Sequence, residues 1–195
     1  MKEYRYVEHM SRRNRAARLL WGLTCALFFR PTPRWMLHGW RRGVLRVFGA
    51  RIGEGCRIDP RARIWAPWNL QMGDYVAIAE GVDLYAVDRI SIGSKVAISQ
   101  RAFLCTASHD IASLRRPLTH APIDIGDHAW IAAEVMLLPG VVVEEGAVIA
   151  ARAVLRHKAL AWTIWAGNPA REVGQRKIEH DPSCGTLTAQ SVDGA

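Results

Sequence analysis

An aliphatic residue returns at every sixth position through most of this chain, and that period constrains the fold more than any other feature. The series runs Ile52, Ile58, Ile64, then Met72, Ile78, Leu84, then Ile92, Ile98, Leu104. After a break it resumes as Ile125, Ile131, Leu137, Val143, Ile149 and Leu155. Six matches neither the 3.6 of a helix nor the two of a plain strand. It fits short strands joined by tight turns, with one deep aliphatic residue on each side of a triangular coil. Four residues later stands a mostly small or β-branched residue: Cys56, Ala62, Val76, Val82, Val96, Ala102, Ser108, Ala129, Val135, Val141, Ala147 and Ala153. Glycine directly follows the aliphatic residue at Gly53, Gly73, Gly93 and Gly126.

Three hexads close one coil, and the series breaks where a coil would close. Two extra residues (70–71) follow the first coil, two (90–91) the second and fifteen (110–124) the third, while none separates the fourth from the fifth. The expected fold is an all-β solenoid, a parallel β-helix of five hexapeptide coils over residues 51–157 with an excursion loop over 110–124. At a strand spacing of ~4.8 Å it would stand roughly 20–25 Å tall. Fifteen positions in phase exclude hairpins with accidental spacing. A solenoid needs covered ends. Residues 1–50 are expected to form a helical segment at one end, and residues 158–178, with Trp162, Trp165 and Pro169, a cap at the other. Residues 179–195 read as a flexible tail.

The net charge of +8 is unevenly placed. Residues 1–50 hold 11 Lys and Arg against Glu3 and Glu8, and the remaining 145 residues hold 15 basic and 16 acidic side chains. A body so balanced argues against nucleic acid as a partner. Two short helices are expected around Pro31-Thr32-Pro33, carrying arginines beside Trp21, Trp35, Trp40 and several leucines. Such helices can cap the prism or lie on an anionic bilayer, and both uses stay open. The longest apolar run, Leu19 to Phe29, is half of the ~20 residues that span a bilayer. It ends without a small-residue cleavage site, so export is not expected. Four scattered cysteines without a C-x-x-C pair fit a reduced, cytoplasmic chain, peripheral to the inner face of a membrane if the helices touch lipid.

The hexads, together with "SQRAFLCTASHD" from Ser99 to Asp110 and "WTIWAGNPAR" from Trp162 to Arg171, resemble the hexapeptide-repeat acyltransferases, whose solenoid is left-handed. They are most similar to the colanic acid (exopolysaccharide) biosynthesis acetyltransferases, relatives of the maltose and galactoside O-acetyltransferases. The resemblance spans about Leu19 to Arg176. It implies transfer of acetyl from acetyl-CoA, a co-substrate and not a tightly bound cofactor, to a saccharide hydroxyl. It also implies a homotrimer, because in relatives the cleft lies between two prisms. Transfer to the amino group of an amino or nucleotide sugar is the alternative chemistry.

The resemblance carries the catalytic base onto His109, which closes the third coil just before the excursion. Histidine suits that role because its ordinary pKa lies near working pH. Trp130, Ala133 and Ala151 match positions along the coenzyme groove, and Arg156 and Arg171 match positions at its nucleotide end. Arg176 extends the cationic cluster, with Lys158 and Lys177, that phosphates require. Trp130 serves equally well as packing between subunits. The chain departs from the sugar acetyltransferases at Gly81 and Ala86, where they carry Asn and Asp, and at Leu118 before Pro122, where they carry Glu. The acceptor pocket is therefore expected to differ, with Asp83, Tyr85 and Asp110 as polar substitutes or as turn and wall residues. A zinc hydratase on the same solenoid needs three converging histidines. His109, His128 and His157 stand on different coils, so no metal site is expected. A non-catalytic scaffold is the third class, set apart by whether the chain binds acetyl-CoA.

Overall fold

The computed structural model describes residues 11–178. Helix α1 (Arg12–Thr24) begins where the Ser11 hydroxyl accepts the Asn14 amide at 3.2 Å, and it widens into a π-helical turn over Cys25–Phe29. Pro31 and Pro33 stop it, because proline lacks the N–H that the helical ladder needs. Helix α2 (His38–Val47) follows.

Parallel strands of two or three residues then wind into three faces. The first stacks Arg51–Ile52, Leu70–Met72, Ile90–Ile92, Ile123–Ile125 and Val142–Val143. The second stacks Arg57–Ile58, Ala77–Ile78, Ala97–Ile98, Trp130–Ile131 and Val148–Ile149. The third stacks Arg63–Ile64, Asp83–Tyr85, Phe103–Cys105, Met136–Leu137 and Val154–Leu155. Hexad residues lie directly above one another, as in the row Ile58, Ile78, Ile98, Ile131, Ile149. All fifteen are at most 7% exposed. Of the small residues, Ser108 alone lies outside this core, exposed on the strand that leads into the excursion.

The glycine row has a steric cause. None of Gly53, Gly73, Gly93 and Gly126 has a positive φ. A Cβ on Gly93 would stand 2.7 Å from the Asp127 amide nitrogen and 2.8 Å from the Gly126 carbonyl carbon, so the coils approach too closely for any side chain there. At the edge between the second and third faces, Arg101, Glu134 and Arg152 take left-handed corner conformations (φ 58°, 60° and 62°), and Glu134 pairs with both arginines.

The ladder also dictates what can cover each end. In every coil the inward-row carbonyls accept amides of the coil before, as in Gly53 N–Met72 O, Arg57 N–Val76 O and Trp65 N–Leu84 O. The first coil therefore presents carbonyls with no coil before them, and its cap must supply donors. Trp21 Nε1 donates to Ile64 O at 2.7 Å, Arg42 Nη1 to Cys56 O at 3.1 Å, and Arg46 Nη2 to Ile52 O at 2.6 Å. Trp21, Phe29 and Leu45 continue the apolar core beneath these bonds. Arginine has no acceptor and suits this task, so part of the basic character of the segment is capping chemistry.

The last coil presents amides instead. Residues after 157 supply carbonyls: Glu144 N–Ala159 O, Ala150 N–Trp165 O and Val154 N–Gly167 O. Thr163–Ala166 stacks in parallel on Val148–Ile149, with Trp165 opposite Ile149, before Arg171–Gln175 folds back antiparallel. The solenoid thus has about six turns, not five, the sixth incomplete. The excursion also differs from a plain loop over 110–124: Ala107–His109 pairs antiparallel with Leu118–His120 in a hairpin.

Candidate active site

His109 stands at the end of the first hairpin strand, where the chain has left the third face. Its side chain is exposed, and Nδ1 lies 2.7 Å from the Arg116 carbonyl oxygen. A carbonyl can only accept, so Nδ1 donates to it, and in the neutral ring Nε2 is then the nitrogen with the lone pair. The turn that brings Arg116 round is built locally. Asp110 Oδ1 accepts the Ala112 amide at 2.9 Å, the Asp110 amide reaches Pro117 O at 3.0 Å, and Arg116 adopts φ 44°. Asp110 is thereby a turn residue that holds the strand bearing His109.

Directly opposed residues of an antiparallel pair share a face. The pairs His109–Leu118 and Ala107–His120 therefore place all four side chains on one side of the hairpin. Leu118 and His120 line a cavity of about 490 Å³, together with Ser11, which caps α1, Asn14 of α1, Trp65 and Asn69. His120 Nδ1 lies 2.7 Å from Asp88 Oδ2. Burial works to raise the Asp88 carboxyl, but hydrogen bonds from His120 and the Arg89 amide outweigh it and hold it below its usual range. The Asp88 amide in turn donates to the buried Thr106 hydroxyl at 2.9 Å. Asn69 Nδ2 donates to Ala86 O and Val87 O, both at 3.0 Å, which leaves its own oxygen as an acceptor. Among the described residues Asn14 Oδ1 is buried without a hydrogen-bond partner.

Two expected acceptor residues lie beside this cavity and not in it. The Tyr85 ring packs 4.6 Å from Trp65 and 6.2 Å from Phe103, and burial pushes its hydroxyl pKa up. Asp83 pairs with Arg63 at 3.4 Å on the third face, and burial raises its carboxyl despite that cation. Trp65 touches Tyr85 and carries the Arg18 guanidinium over its ring, with the guanidinium carbon 3.3 Å from the ring centroid. The pairing of His120 with Asp88 across 32 residues needs the excursion's register, which no hexad count supplies.

The coenzyme residues fall on three edges. Ala133 and Ala151 sit where the second face turns into the third, beside the Glu134 ion pairs, with the exposed Arg171 over the same edge. Trp130 is 45% exposed on the second face, its Nε1 donating to Ser99 Oγ at 3.0 Å. Arg156 follows the last strand of the third face, on the His109 edge, and its Nε lies 3.1 Å from His157 Nε2. Arg176 is elsewhere: it donates to His128 O at 2.8 Å and Gly146 O at 2.9 Å, where the first face meets the second. Strands of a face run in one direction, so His109 and the two alanines flank opposite ends of the third face. A larger depression of about 880 Å³ follows the glycine row on the first face and holds none of these groups. Among the described residues no three His, Cys, Asp or Glu side chains converge as metal ligands.

Known proteins share this fold. Residues 122–157 match the bacterial transferase hexapeptide family (six repeats). The chain is 39% identical over 157 residues to the putative colanic acid biosynthesis acetyltransferase WcaF of Escherichia coli (strain K12), covering 80% of this chain and 86% of that protein. It is 28% identical over 143 residues to the putative lipopolysaccharide biosynthesis O-acetyl transferase WbbJ of the same strain, covering 66% and 69%. Among solved structures, a hexapeptide-repeat acetyltransferase of Vibrio cholerae complexed with acetyl coenzyme A superposes with a TM-score of 0.79 at 24% identity, covering 88% of this chain and 93% of that one. A galactoside acetyltransferase in complex with coenzyme A gives the same score at 21% identity, covering 87% and 86%. Two-fifths identity over most of both chains, on a ladder of hexads, settles the family: the chain belongs to the hexapeptide-repeat acyltransferases, enzymes that draw their acyl group from a coenzyme A thioester.

Proposed function

We propose that this chain transfers acetyl from acetyl-CoA to a saccharide hydroxyl by direct attack, with His109 as general base. The bond from Nδ1 to the Arg116 carbonyl carries the reading, because in the neutral form of this exposed ring it leaves the lone pair on Nε2. The hydroxyl proton passes to Nε2 as the acceptor oxygen bonds the thioester carbonyl carbon. The tetrahedral adduct collapses, the C–S bond breaks, and the proton moves from Nε2 to the departing thiolate. The Arg116 carbonyl steadies the imidazolium that exists between these steps. The oxyanion falls to a main-chain N–H.

The coenzyme lies along the edge carrying Ala133 and Ala151, with Trp130 near the thioester and Arg171 toward the phosphates. His109 flanks the other end of the third face, so each cleft joins the base of one chain to the slot of its neighbour in a homotrimer. Arg156 closes the cleft from the His109 side. Arg176 is left out because its guanidinium already serves two carbonyls. The acceptor occupies the cavity of Trp65, Asn69 and His120, where amide and imidazole groups pair with sugar hydroxyls. The named role of the 39% identical relative supports a saccharide acceptor in exopolysaccharide assembly. The proposed site of action is the cytoplasm, with residues 1–50 in peripheral contact with the inner face of the membrane.

The test is His109→Ala in a thioester-release assay. Turnover should fall roughly 10²–10⁴-fold while acetyl-CoA binding persists. Unchanged turnover would move the base elsewhere. The product's acetyl group should be removed by mild alkali, as an ester is; resistance would mean transfer to nitrogen.

A further inference from the structure

We infer that the outer face of the N-terminal helices docks on an anionic lipid bilayer and holds the acceptor cavity beside it. This deepens the membrane contact of the proposed function, but it stands on other observations than acetyl transfer does. Among the described residues seventeen large apolar side chains are exposed, and ten of them fall between Leu19 and Val47. The other seven are scattered over the rest of the surface. Leu19, Leu23, Leu27, Trp35, Trp40 and Val47 are each 50% exposed or more, while Trp21, Phe29 and Leu45 of the same segment face the prism. The segment therefore has two apolar sides, and the core uses one.

Charge selects the occupant of the other. Residues 11–50 contain nine arginines and no Asp or Glu. Arg34 is neutralised by Asp59 and Glu80, and Arg42 and Arg46 by Glu54. Arg12, Arg13 and Arg30 have no ion pair among the described residues. A second copy of this face would set like charge against like, whereas acidic headgroups complement it. No described helix is long and apolar enough to cross a membrane, so the helices lie in the interface. Ser11 and Asn14, at the start of α1, line the acceptor cavity, while the exposed leucines crowd its second half. A helix of 13 residues measures about 20 Å. The cavity thus opens within that distance of the lipid surface, which suits a saccharide carried on a lipid.

The experiment is flotation of the full chain with vesicles of phosphatidylglycerol and phosphatidylethanolamine, and with vesicles of phosphatidylcholine. Binding to the anionic vesicles should exceed binding to the neutral ones about tenfold and should fall at high salt. The double variant Leu23→Glu, Leu27→Glu should lose about tenfold in bound fraction while keeping thioester release and its sedimentation coefficient. A wild-type chain that stays down with anionic vesicles overturns the inference, as does a double variant that floats equally well. A variant that changes its oligomeric state instead makes a second copy the occupant and overturns it too. Thioester release without flotation sinks the docking alone and leaves acetyl transfer standing.

Discussion

Replacing Gly93 with alanine separates the packing argument from any general effect of a glycine change. The new Cβ would stand 2.3 Å from Asp127 Oδ1, 2.7 Å from Asp127 N and 2.8 Å from the Gly126 carbonyl carbon. The last two are backbone atoms and cannot swing aside. To reach ordinary contact the third and fourth coils must part by about 0.6 Å, which stretches the 2.7 Å bonds from Gly93 N to Ile125 O and from Ser94 N to Asp127 Oδ1. Overpacking of this kind costs about 1–3 kcal/mol. The less flexible unfolded chain returns about 0.4–1 kcal/mol, so the net loss should be about 1.3 kcal/mol. Gly174→Ala is the control: nothing lies within 4 Å of its Cβ and its φ is not positive. The control should be neutral or gain up to about 1 kcal/mol. Urea midpoints at one protein concentration read both. A Gly93→Ala loss below about 0.5 kcal/mol, or an equal loss in Gly174→Ala, would refute the claim that coil spacing imposes the glycine row.

Two further outcomes follow from the N-terminal cap. Trp21→Phe keeps the ring packed near Phe29 and Phe48 but orphans the Ile64 carbonyl, so stability should drop by about 1–3 kcal/mol in the same melts; no change would mean that water takes over the carbonyl. His38 accepts from buried Arg41 at 2.7 Å, and burial, followed by the charges of Arg41, Arg57 and Arg42, holds its pKa below the ordinary 6.5. The unfolded chain protonates first, so His38 should lower stability as pH falls through about 6.5, levelling off below the folded pKa. His38→Gln should flatten that part of the curve, and an unchanged slope would contradict it.

The fold was legible because fifteen aliphatic residues each report a rung independently, and every one is buried in the expected row. The sixth rung was not, because Ala159 and Trp165 stand where a hexad would show Ile or Leu. The arginines of residues 1–50 read as solvated or lipid-facing cations, while the ladder uses Arg42 and Arg46 as donors to the first coil's carbonyls. That role depends on the direction of inter-coil hydrogen bonds, which has no compositional signature. At the site, His109 could be placed before an excursion, but the Arg116 carbonyl that orients it and the His120–Asp88 pair follow from hairpin register. Asp110 and Arg176 carry residue types suited to binding, yet the backbone engages both. A polar side chain in a turn is consumed locally more often than its type suggests.

The central claim is that the base and the coenzyme slot of one cleft come from different chains. Two inactive variants test it: His109→Ala, which keeps the slot, and Ala133→Trp, which fills the slot and keeps the base. Unfolded and refolded together in equal amounts, they should form mixed trimers in which about a quarter of the clefts pair an intact base with an intact slot, and about a quarter of wild-type thioester release should return. Mixed trimers that form and remain inactive would place both halves of the site on a single chain.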